Sequence, residues 1–315
     1  MKPIVFIPEP IAECGLDLLK SDYDCVAPWQ NGTEADRKVL YDADAVIVRL
    51  FSVGQQDFEQ CRRLKVVAKH GVGVDNIDVQ AAAEAGISVV STPRANANAV
   101  AEHTLTLMLA LARNIAPAGS AIAQDRFSDR GQYQGVELEG RTLGVIGLGN
   151  VGRRVARMAA NGLGMSVLAY DPFLPEGAET DPAVLEPSLE ALLSAADFLT
   201  LHVSLTPETR HLINAESLRL MKPDCRIVNT SRGAVIDEIA LASALSQGHP
   251  GGAALDVFEE EPIPADHPLV SAPNTLLTPH IASSTKESLD RMSLQAAQGV
   301  IDVLNGKTPQ YPVNS

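Results

Sequence analysis

Three residues in this chain carry side chains that could together move a proton beside a bound carboxylate: Arg232, Glu261 and His280. A guanidinium can clamp a substrate carboxylate through two hydrogen bonds. Imidazole exchanges protons near neutral pH, and a carboxylate beside it fixes its tautomer. The three residues lie in the segments Asn229–Gly233, Leu255–Pro262 and Thr278–Ser284.

Each of these segments begins at the end of an apolar, strand-like run. Each could therefore lie at the carboxyl edge of a parallel sheet, where open α/β sheets bind their ligands. Spacing alone does not establish that the three side chains converge. Arg232 could instead pair with Asp237 or Glu238. Glu261 lies in an acidic run typical of a solvated surface, and His280 could be a core histidine.

A glycine-rich loop, Gly147–Gly152, stands between an apolar run and a helical pattern. The spacing of Gly147, Gly149 and Gly152 is a dinucleotide-binding fingerprint, in which glycines permit a tight turn, close approach to a pyrophosphate and helix-on-strand packing. Asp171 ends the next strand-like run, where a carboxylate can accept both ribose hydroxyls of NAD and would repel the 2′-phosphate of NADP. The motif therefore predicts NAD as the cofactor, and the alternative for Asp171 is a solvated turn residue.

Short β-type runs alternate with helical patterns along almost the whole chain, which is typical of α/β proteins with parallel sheets. We predict two doubly wound parallel-sheet domains. A Rossmann-type nucleotide domain, residues 93–284, is inserted into a discontinuous, flavodoxin-like substrate-binding domain, residues 1–92 and 285–315. The last helix, Lys286–Leu304, would return the chain to that first domain. The predicted strands are Ile4–Ile7, Ala45–Val48, Lys65–Ala68, Ser88–Val90, Thr142–Ile146, Val167–Tyr170, Phe198–His202, Arg226–Asn229, Gly252–Leu255 and Thr275–Leu277.

The composition excludes several classes of protein. The 315 residues are 45% hydrophobic, and a net charge of −14 argues against a nucleic-acid-binding surface. The four cysteines have neither CxxC spacing nor neighbouring histidines, which predicts no metal site and no disulfide framework. No apolar stretch has membrane-spanning length, and the first residues are typical of a strand rather than a signal peptide. We therefore expect a cytoplasmic protein without nucleic-acid or membrane partners.

Five motifs, in order along the chain, resemble those of the D-isomer-specific 2-hydroxyacid dehydrogenases, in the phosphoglycerate dehydrogenase-like branch. They are Gly71–Asn76, Gly147–Gly152 with Asp171, Thr230–Gly233, Asp256–Phe258 with Glu261 and Pro262, and Pro279 with His280. Formate dehydrogenases of this superfamily carry glutamine as the partner of the histidine, so Glu261 points to hydroxyacid chemistry. Because the chain ends at Ser315, just after the last helix, we expect no C-terminal regulatory extension of the kind that some phosphoglycerate dehydrogenases carry.

The resemblance implies roles for the matching residues. Arg232 would bind the substrate carboxylate and the reacting oxygen, His280 would be the acid/base, and Glu261 would pair with it. The Gly71–Val74 loop would offer backbone N–H groups to the substrate carboxylate, since such a concavity suits an anion. The implied substrate contacts are Arg49, Val72, Gly73 and Asn96. The implied cofactor contacts are Val72, Gly147, Gly149, Asn150, Val151, Gly152, Asp171, Thr206, Thr230, Ser231, Asp256 and Ala282.

The implied reaction is reversible hydride transfer between NAD and C2 of a D-2-hydroxy acid or 2-oxo acid, such as phosphoglycerate, hydroxypyruvate or glyoxylate. Two alternatives stay open: an NAD-responsive, co-repressor-like interaction protein, and a related NAD enzyme acting on phosphite. Asn96 could instead cap a helix. Arg49, Lys69, His70 and Arg94 could surround a distal phosphate or sulfonate, or could be surface charges. The family implies a homodimer, with residues 124–139 as the candidate contact region.

Overall fold

The computed structural model describes residues 2–314, which pack into two compact units. The terminal unit contains the residues up to Ala97 and those from Ser284 onward, and the central unit is Asn98–Ser283. Each unit has its own parallel sheet, so the prediction of a two-sheet α/β protein is confirmed. The predicted bounds at residues 92/93 and 284/285 remain predictions of functional domains, because the units are defined by packing alone.

The elements alternate between strand and helix, as predicted. The strands of residues 2–314 are β1 (Ile4–Phe6), β2 (Asp24–Val26), β3 (Ala45–Val48), β4 (Val66–Lys69), β5 (Ser88–Val90), β6 (Thr142–Ile146), β7 (Ser166–Tyr170), β8 (Val184–Leu185), β9 (Phe198–Leu201), β10 (Arg226–Asn229), β11 (Gly252–Leu255) and β12 (Thr275–Leu277). The α-helices are α1 (Glu13–Lys20), α2 (Lys38–Asp42), α3 (Gln55–Phe58), α4 (Val79–Glu84), α5 (Ala97–Ala112), α6 (Ile115–Ala123), α7 (Gly152–Leu163), α8 (Leu189–Ala195), α9 (Ala215–Leu220), α10 (Glu238–Ser246), α11 (Pro268–Ser271) and α12 (Lys286–Leu304). Three short 3-10 helices are Pro28–Asn31, Phe127–Gln132 and Gly233–Val235.

Two strands, β2 and β8, were not predicted from the sequence. Both lie at the outer edge of a sheet, and their residues are partly or fully exposed, so neither forms a continuous apolar run. In the segment 124–139, the candidate contact region, residues 127–132 form a 3-10 helix. These differences leave the positions of the candidate site residues unchanged.

The terminal unit has the strand order β2-β1-β3-β4-β5, all parallel. This is the flavodoxin-like order, as predicted. Helix α12 packs against α1 and against β3 and β4, so the last helix does return to the first part of the chain. The discontinuous organisation therefore follows from the apolar face that α12 shares with the first strands.

The contact between α1 and α12 is close because Gly15 has no side chain. A Cβ at Gly15 would lie 2.8 Å from both the Cβ and the carbonyl oxygen of Ser293. Ser293 Oγ accepts the Ala12 N–H at 2.9 Å and lies 2.9 Å from His70 Nε2. Burial, with help from the nearby charge of Arg49, lowers the pKa of His70 to about 4. His70 is thus neither a surface charge nor a cation at neutral pH.

The central unit has the strand order β12-β11-β10-β9-β6-β7-β8, all parallel. Counted from β6, this is the doubly wound Rossmann order with one further strand, as predicted. Apolar residues of α5 and α7 cover one face of the sheet, and those of α8, α9 and α10 cover the other. Successive strands are added on one side of β6 up to β8 and on its other side from β9 onward, and such folds open a crevice for a ligand at that point.

Residues 2–314 were predicted to contain neither a membrane-spanning helix nor a metal site. No single helix in that range has the length and apolar composition needed to cross a membrane, and only the pair α5 and α6, bent by 65°, meets both criteria when joined. The same residues contain no group of three or more His, Cys, Asp or Glu side chains placed to hold a metal ion.

Gly15→Ala tests the close contact of α1 with α12. We expect the free energy of unfolding to fall by about 1–3 kcal/mol, because the added methyl group meets backbone atoms that cannot move freely. The matched control is Gly162→Ala in α7, where an added Cβ meets nothing within 4 Å. That variant should be neutral or stabilised by up to about 1 kcal/mol. Urea denaturation followed by circular dichroism compares them, and equal stability of the two variants would contradict the packing argument.

Candidate functional site

The glycine loop after β6 has a different requirement at each glycine. Gly147 has a φ of 88°, and a Cβ there would lie 2.6 Å from the carbonyl oxygen of His202. A Cβ on Gly152 would overlap the carbonyl oxygen of Gly147. A Cβ on Gly149, in contrast, would meet nothing within 4 Å. The first and third glycines therefore close the turn, while the second faces open space.

The start of α7 supplies donors to that open space. The helix has 12 residues, and its N-cap residue, Val151, provides no side-chain cap. The first N–H groups of a helix lack partners within it, and the helix dipole favours an anion there. The loop and helix therefore fit the pyrophosphate of a dinucleotide, with Gly149 as the point of closest approach.

Asp171 lies directly after β7 and is tied to the glycine loop. Its Oδ2 accepts the Leu148 N–H at 2.9 Å, and its Oδ1 accepts the Phe173 N–H at 3.0 Å. The bond to Leu148 was not apparent from the sequence. A carboxylate has lone pairs for further donors, so Asp171 can hold the loop and still accept ribose hydroxyls.

His280 and Glu261, which the sequence proposed as partners, are in contact. His280 Nδ1 lies 2.7 Å from Glu261 Oε2, and Glu261 Oε1 accepts the Phe258 N–H at 3.0 Å. Burial raises the pKa of Glu261, but the bonds from His280 and Phe258 and the charge of Arg232 outweigh it and hold the pKa below its usual value. Because the carboxylate is ionised, Nδ1 of His280 is the donor, and Nε2 is the nitrogen left to exchange a proton.

Arg232 follows β10 in a turn shaped by Asn229. The Asn229 side chain accepts the N–H and the hydroxyl of Ser231 and donates to the carbonyl oxygen of Arg232 at 2.9 Å. The acids that the sequence offered as alternative partners of Arg232 have structural roles of their own. Asp237 accepts the Ala240 N–H at the start of α10, and Glu238 accepts the N–H of Glu259. Asn229 is a positioning residue that spacing could not have singled out.

Asp256 holds the turn that carries His280. Its side chain is fully buried, Oδ1 accepts the Thr278 hydroxyl at 2.6 Å and the Ile281 N–H at 2.9 Å, and Oδ2 accepts the Ala282 N–H at 2.8 Å. Its backbone carbonyl accepts the His280 N–H at 2.8 Å. These bonds stabilise a left-handed φ of 51° at His280. The predicted contact of Asp256 with nicotinamide stays a prediction, and the turn is a second role.

Helix α5 adds two side chains beneath this edge of the sheet. His103 Nε2 lies 3.4 Å from Asp256 Oδ1 and 3.3 Å from the hydroxyl of Thr278. Burial raises the pKa of Asp256, but the bonds from His103, Thr278 and the backbone outweigh it and lower the pKa. The Thr104 hydroxyl lies 2.9 Å from that of Thr230. No sequence spacing indicated these contacts, because α5 is far from β11 and β12 along the chain.

The structure therefore brings the central-unit candidates to the carboxyl edge of one sheet, each in a segment that follows a strand. Thr206 follows β9 in an exposed loop, where its N–H donates to Thr209 Oγ1. The central-unit candidates at this edge are Gly147, Gly149, Asn150, Val151, Gly152, Asp171, Thr206, Thr230, Ser231, Arg232, Asp256, Glu261, His280 and Ala282. A cleft of about 360 Å³ in this unit lies instead beside α5, α6 and the first half of β12, away from these residues.

The remaining candidates, Arg49, Val72, Gly73 and Asn96, lie in the terminal unit. The Arg49 N–H donates to Glu9, and its guanidinium donates to the Pro10 carbonyl at 3.0 Å. Val72 is 44% exposed in the loop after β4. Asn96 Oδ1 is buried and has no hydrogen-bond partner among the described residues. The substrate role of Asn96 stays a prediction.

Lys69, which the sequence analysis grouped with Arg49 as a possible anion contact, is hydrogen-bonded to the segment after β3. Its Nζ donates to the Arg49 carbonyl oxygen at 2.6 Å and to Asn76 Oδ1. Asn76 in turn donates to the carbonyl oxygens of Arg49 and Phe51. Lys69 is therefore engaged in holding the chain after β3.

Comparison with known proteins places this arrangement in a family. Residues 105–282 match the family model for the D-isomer specific 2-hydroxyacid dehydrogenase, NAD binding domain. The chain is 42% identical over 312 residues to D-3-phosphoglycerate dehydrogenase of Methanocaldococcus jannaschii, covering 98% of this chain and 59% of that protein. It is 39% identical over 328 residues to glyoxylate reductase of Korarchaeum cryptofilum, covering 100% of this chain and 96% of that protein.

A solved structure shows the same fold. D-lactate dehydrogenase from Aquifex aeolicus, complexed with NAD and lactic acid, matches with a TM-score of 0.86 and 30% sequence identity over 99% of both chains. The chain spans 50% to 59% of the length of the first phosphoglycerate dehydrogenases that it matches.

Gly149→Ala tests the cofactor cradle. The added methyl group meets no protein atom, so we expect an unchanged melting temperature. The same methyl group would fill the space at the pyrophosphate and weaken NADH binding by about 10- to 100-fold. Gly162→Ala, later in α7 and equally free of neighbours within 4 Å, is the control and should bind NADH normally. Fluorescence titration with NADH measures both, and equal affinities would contradict the assignment.

Proposed function

Because this chain belongs to the D-isomer specific 2-hydroxyacid dehydrogenase family, we propose that it catalyses reversible oxidation of a D-2-hydroxy acid to the 2-oxo acid. The observation that carries the proposal is the 2.7 Å contact between His280 and an ionised Glu261, within reach of the charge of Arg232. This set lies at the same sheet edge as the dinucleotide loop after β6. NAD, when bound there, supplies the acceptor for the hydride that leaves C2, and NADH supplies the hydride in the reverse reaction.

The roles of the chain's own residues follow from their chemistry. Arg232 binds the substrate carboxylate and polarises the C2 oxygen, which orients the substrate and stabilises developing charge. Nε2 of His280 accepts the hydroxyl proton during oxidation and donates it during reduction. Glu261 holds the ring in the tautomer that leaves Nε2 to react, and its charge stabilises the protonated imidazole. Asp256 keeps the His280 turn in place through its three accepted hydrogen bonds.

Small 2-oxo acids are the substrates that we propose to test first. A glyoxylate reductase is among the relatives that this chain resembles, at 39% identity over 328 residues. Of the four residues that could surround a distal anion, His70 is buried with a pKa of about 4, and Lys69 is engaged with backbone and Asn76. We therefore expect glyoxylate or hydroxypyruvate to be reduced in preference to a phosphorylated analogue. The co-repressor alternative receives no support from the relatives and is not proposed.

His280→Ala and Glu261→Gln test the proposed chemistry. His280→Ala should lower kcat/KM for NADH-dependent reduction by about 10²- to 10⁴-fold, because a positioned proton donor is lost. Glu261→Gln replaces the carboxylate that accepts the Nδ1 hydrogen of His280 by a neutral amide, so kcat should fall while KM for NADH is unchanged. The control is Glu260→Gln, an exposed neighbour in the same acidic run. Turnover by His280→Ala equal to that of the unmodified protein would rule out the acid/base assignment.

We also propose a cytoplasmic homodimer that associates through α5, α6 and the following 3-10 helix. Four large apolar side chains are exposed there: Leu109 at 37%, Ile115 at 59%, Ile122 at 61% and Phe127 at 63%. Contiguous exposed apolar residues of this kind favour a protein interface, and a self-associating patch favours a two-fold dimer. The four free thiols support a reducing compartment.

Ile122→Glu tests this association. Sedimentation should give twice the 33.4 kDa chain mass for the unmodified protein and the single-chain mass for the variant, because a buried glutamate at the interface is costly. Ile239→Glu is the matched control, since Ile239 is equally exposed, at 60%, but lies on α10. A single-chain mass for the unmodified protein, or dissociation by both variants alike, would contradict the proposed contact region.

A further inference from the structure

We propose that Glu238 is a positioning residue for the Glu261–His280 pair, because it fixes the peptide bond between Phe258 and Glu259. This assignment rests on the proposed function of that pair. Glu238 is the first residue of α10 and follows the Arg232 turn. In the proposed role its side chain acts on the Glu259 N–H and not on the substrate.

The Glu238 carboxylate is buried and has two donors. The residue is 5% exposed, Oε1 accepts the Glu259 N–H at 2.8 Å, and Oε2 lies 3.3 Å from His267 Nε2. The other ring nitrogen of His267 accepts the Leu269 N–H at 3.3 Å. Nε2 of His267 therefore carries the hydrogen that faces Glu238, and both carboxylate oxygens are used.

The same peptide bond is also packed against by Gly233, and the preceding peptide bond is held by Glu261. Gly233, next to Arg232, packs so closely on the Phe258–Glu259 peptide that a Cβ would overlap the Phe258 carbonyl carbon and the Glu259 nitrogen. The Phe258 N–H donates to Glu261 Oε1 at 3.0 Å. Glu238 thus fastens the segment that carries Arg232 to the segment that carries Glu261.

A glutamate at position 238 is costly, because its carboxylate is buried close to two other acids, Glu259 and Glu261. Burial raises the pKa of Glu238, which its bond to Glu259 and the nearby His267 oppose, while Glu259 and Glu261 add to the rise. An apolar residue would fill the same volume without that cost. A carboxylate there gives the Glu259 N–H an acceptor, and a small misplacement of a catalytic group lowers rates strongly.

Glu238→Ala and Glu238→Gln test the assignment by steady-state reduction of the 2-oxo acid that the unmodified protein turns over best. Glu238→Ala should lower kcat by about 10- to 100-fold, while KM for NADH changes by less than about twofold, since the glycine loop is untouched. Glu238→Gln keeps an oxygen for the Glu259 N–H but points an amide donor at His267. Its kcat should therefore fall only about two- to fivefold, so that the conservative variant largely restores the activity lost in Glu238→Ala.

Combination with Glu261→Gln separates positioning from a general loss of stability. If Glu238 acts through Glu261, adding Glu238→Ala to Glu261→Gln should cost less than about twofold more, whereas independent effects would multiply. Ser188→Ala, which removes the cap of α8, controls for stability and should lower the melting temperature with kcat unchanged. Glu260→Gln controls for loss of a negative charge nearby.

The outcomes distinguish this inference from the proposed function. If the unmodified protein reduces no 2-oxo acid with NADH, the proposed function fails. If it does, and Glu238→Ala has normal kcat or its loss multiplies with that of Glu261→Gln, the positioning role is overturned and the proposed function stands.

Discussion

The candidate site depends on the hydrogen bonds that the buried carboxylate of Asp256 accepts. Its side chain is inaccessible to solvent, and a carboxylate removed from water is stable only where donors replace its hydration. Thr278 and the N–H groups of Ile281 and Ala282 supply those donors, and together they bend the chain after β12 into the turn that carries His280. The residue proposed to transfer the proton, His280, is thus held by a charge that cannot lose its donors without a large cost in free energy.

Acidic side chains organise loops in the same way throughout both units. Asp171 binds the glycine loop, Glu238 binds the segment before Glu261, and Glu9 accepts the N–H groups of the three residues that follow β3. Loop N–H groups at strand ends lack a ladder partner, and a carboxylate satisfies them more strongly than a neutral acceptor. Some of the acidic residues behind the net charge of −14 therefore stabilise loops by accepting backbone N–H groups.

The predictable parts of the fold are those whose residues carry a continuous pattern. Strands β9, β10 and β11 are almost wholly buried and are apolar runs in the sequence, so their existence and order followed from it. Strands β2 and β8 have no such pattern because an edge strand is partly solvated. The neutral state of His70 was equally out of reach, because it arises from burial against residues far along the chain, among them Ser293 on α12, 223 residues away.

By itself, the sequence determined which chemistry is available, since residue types supply the guanidinium, the imidazole and the acids, and glycine spacing sets the local turn of the dinucleotide loop. The motifs already paired Glu261 with His280, but only the tertiary structure decided the roles of the other acids. Glu238 accepts the Glu259 N–H, and Asp256 holds the turn that carries His280. His103 reaches Thr278 across 175 residues of chain. These contacts join the ends of separate strands, and only the parallel register of the sheet brings those ends to one edge.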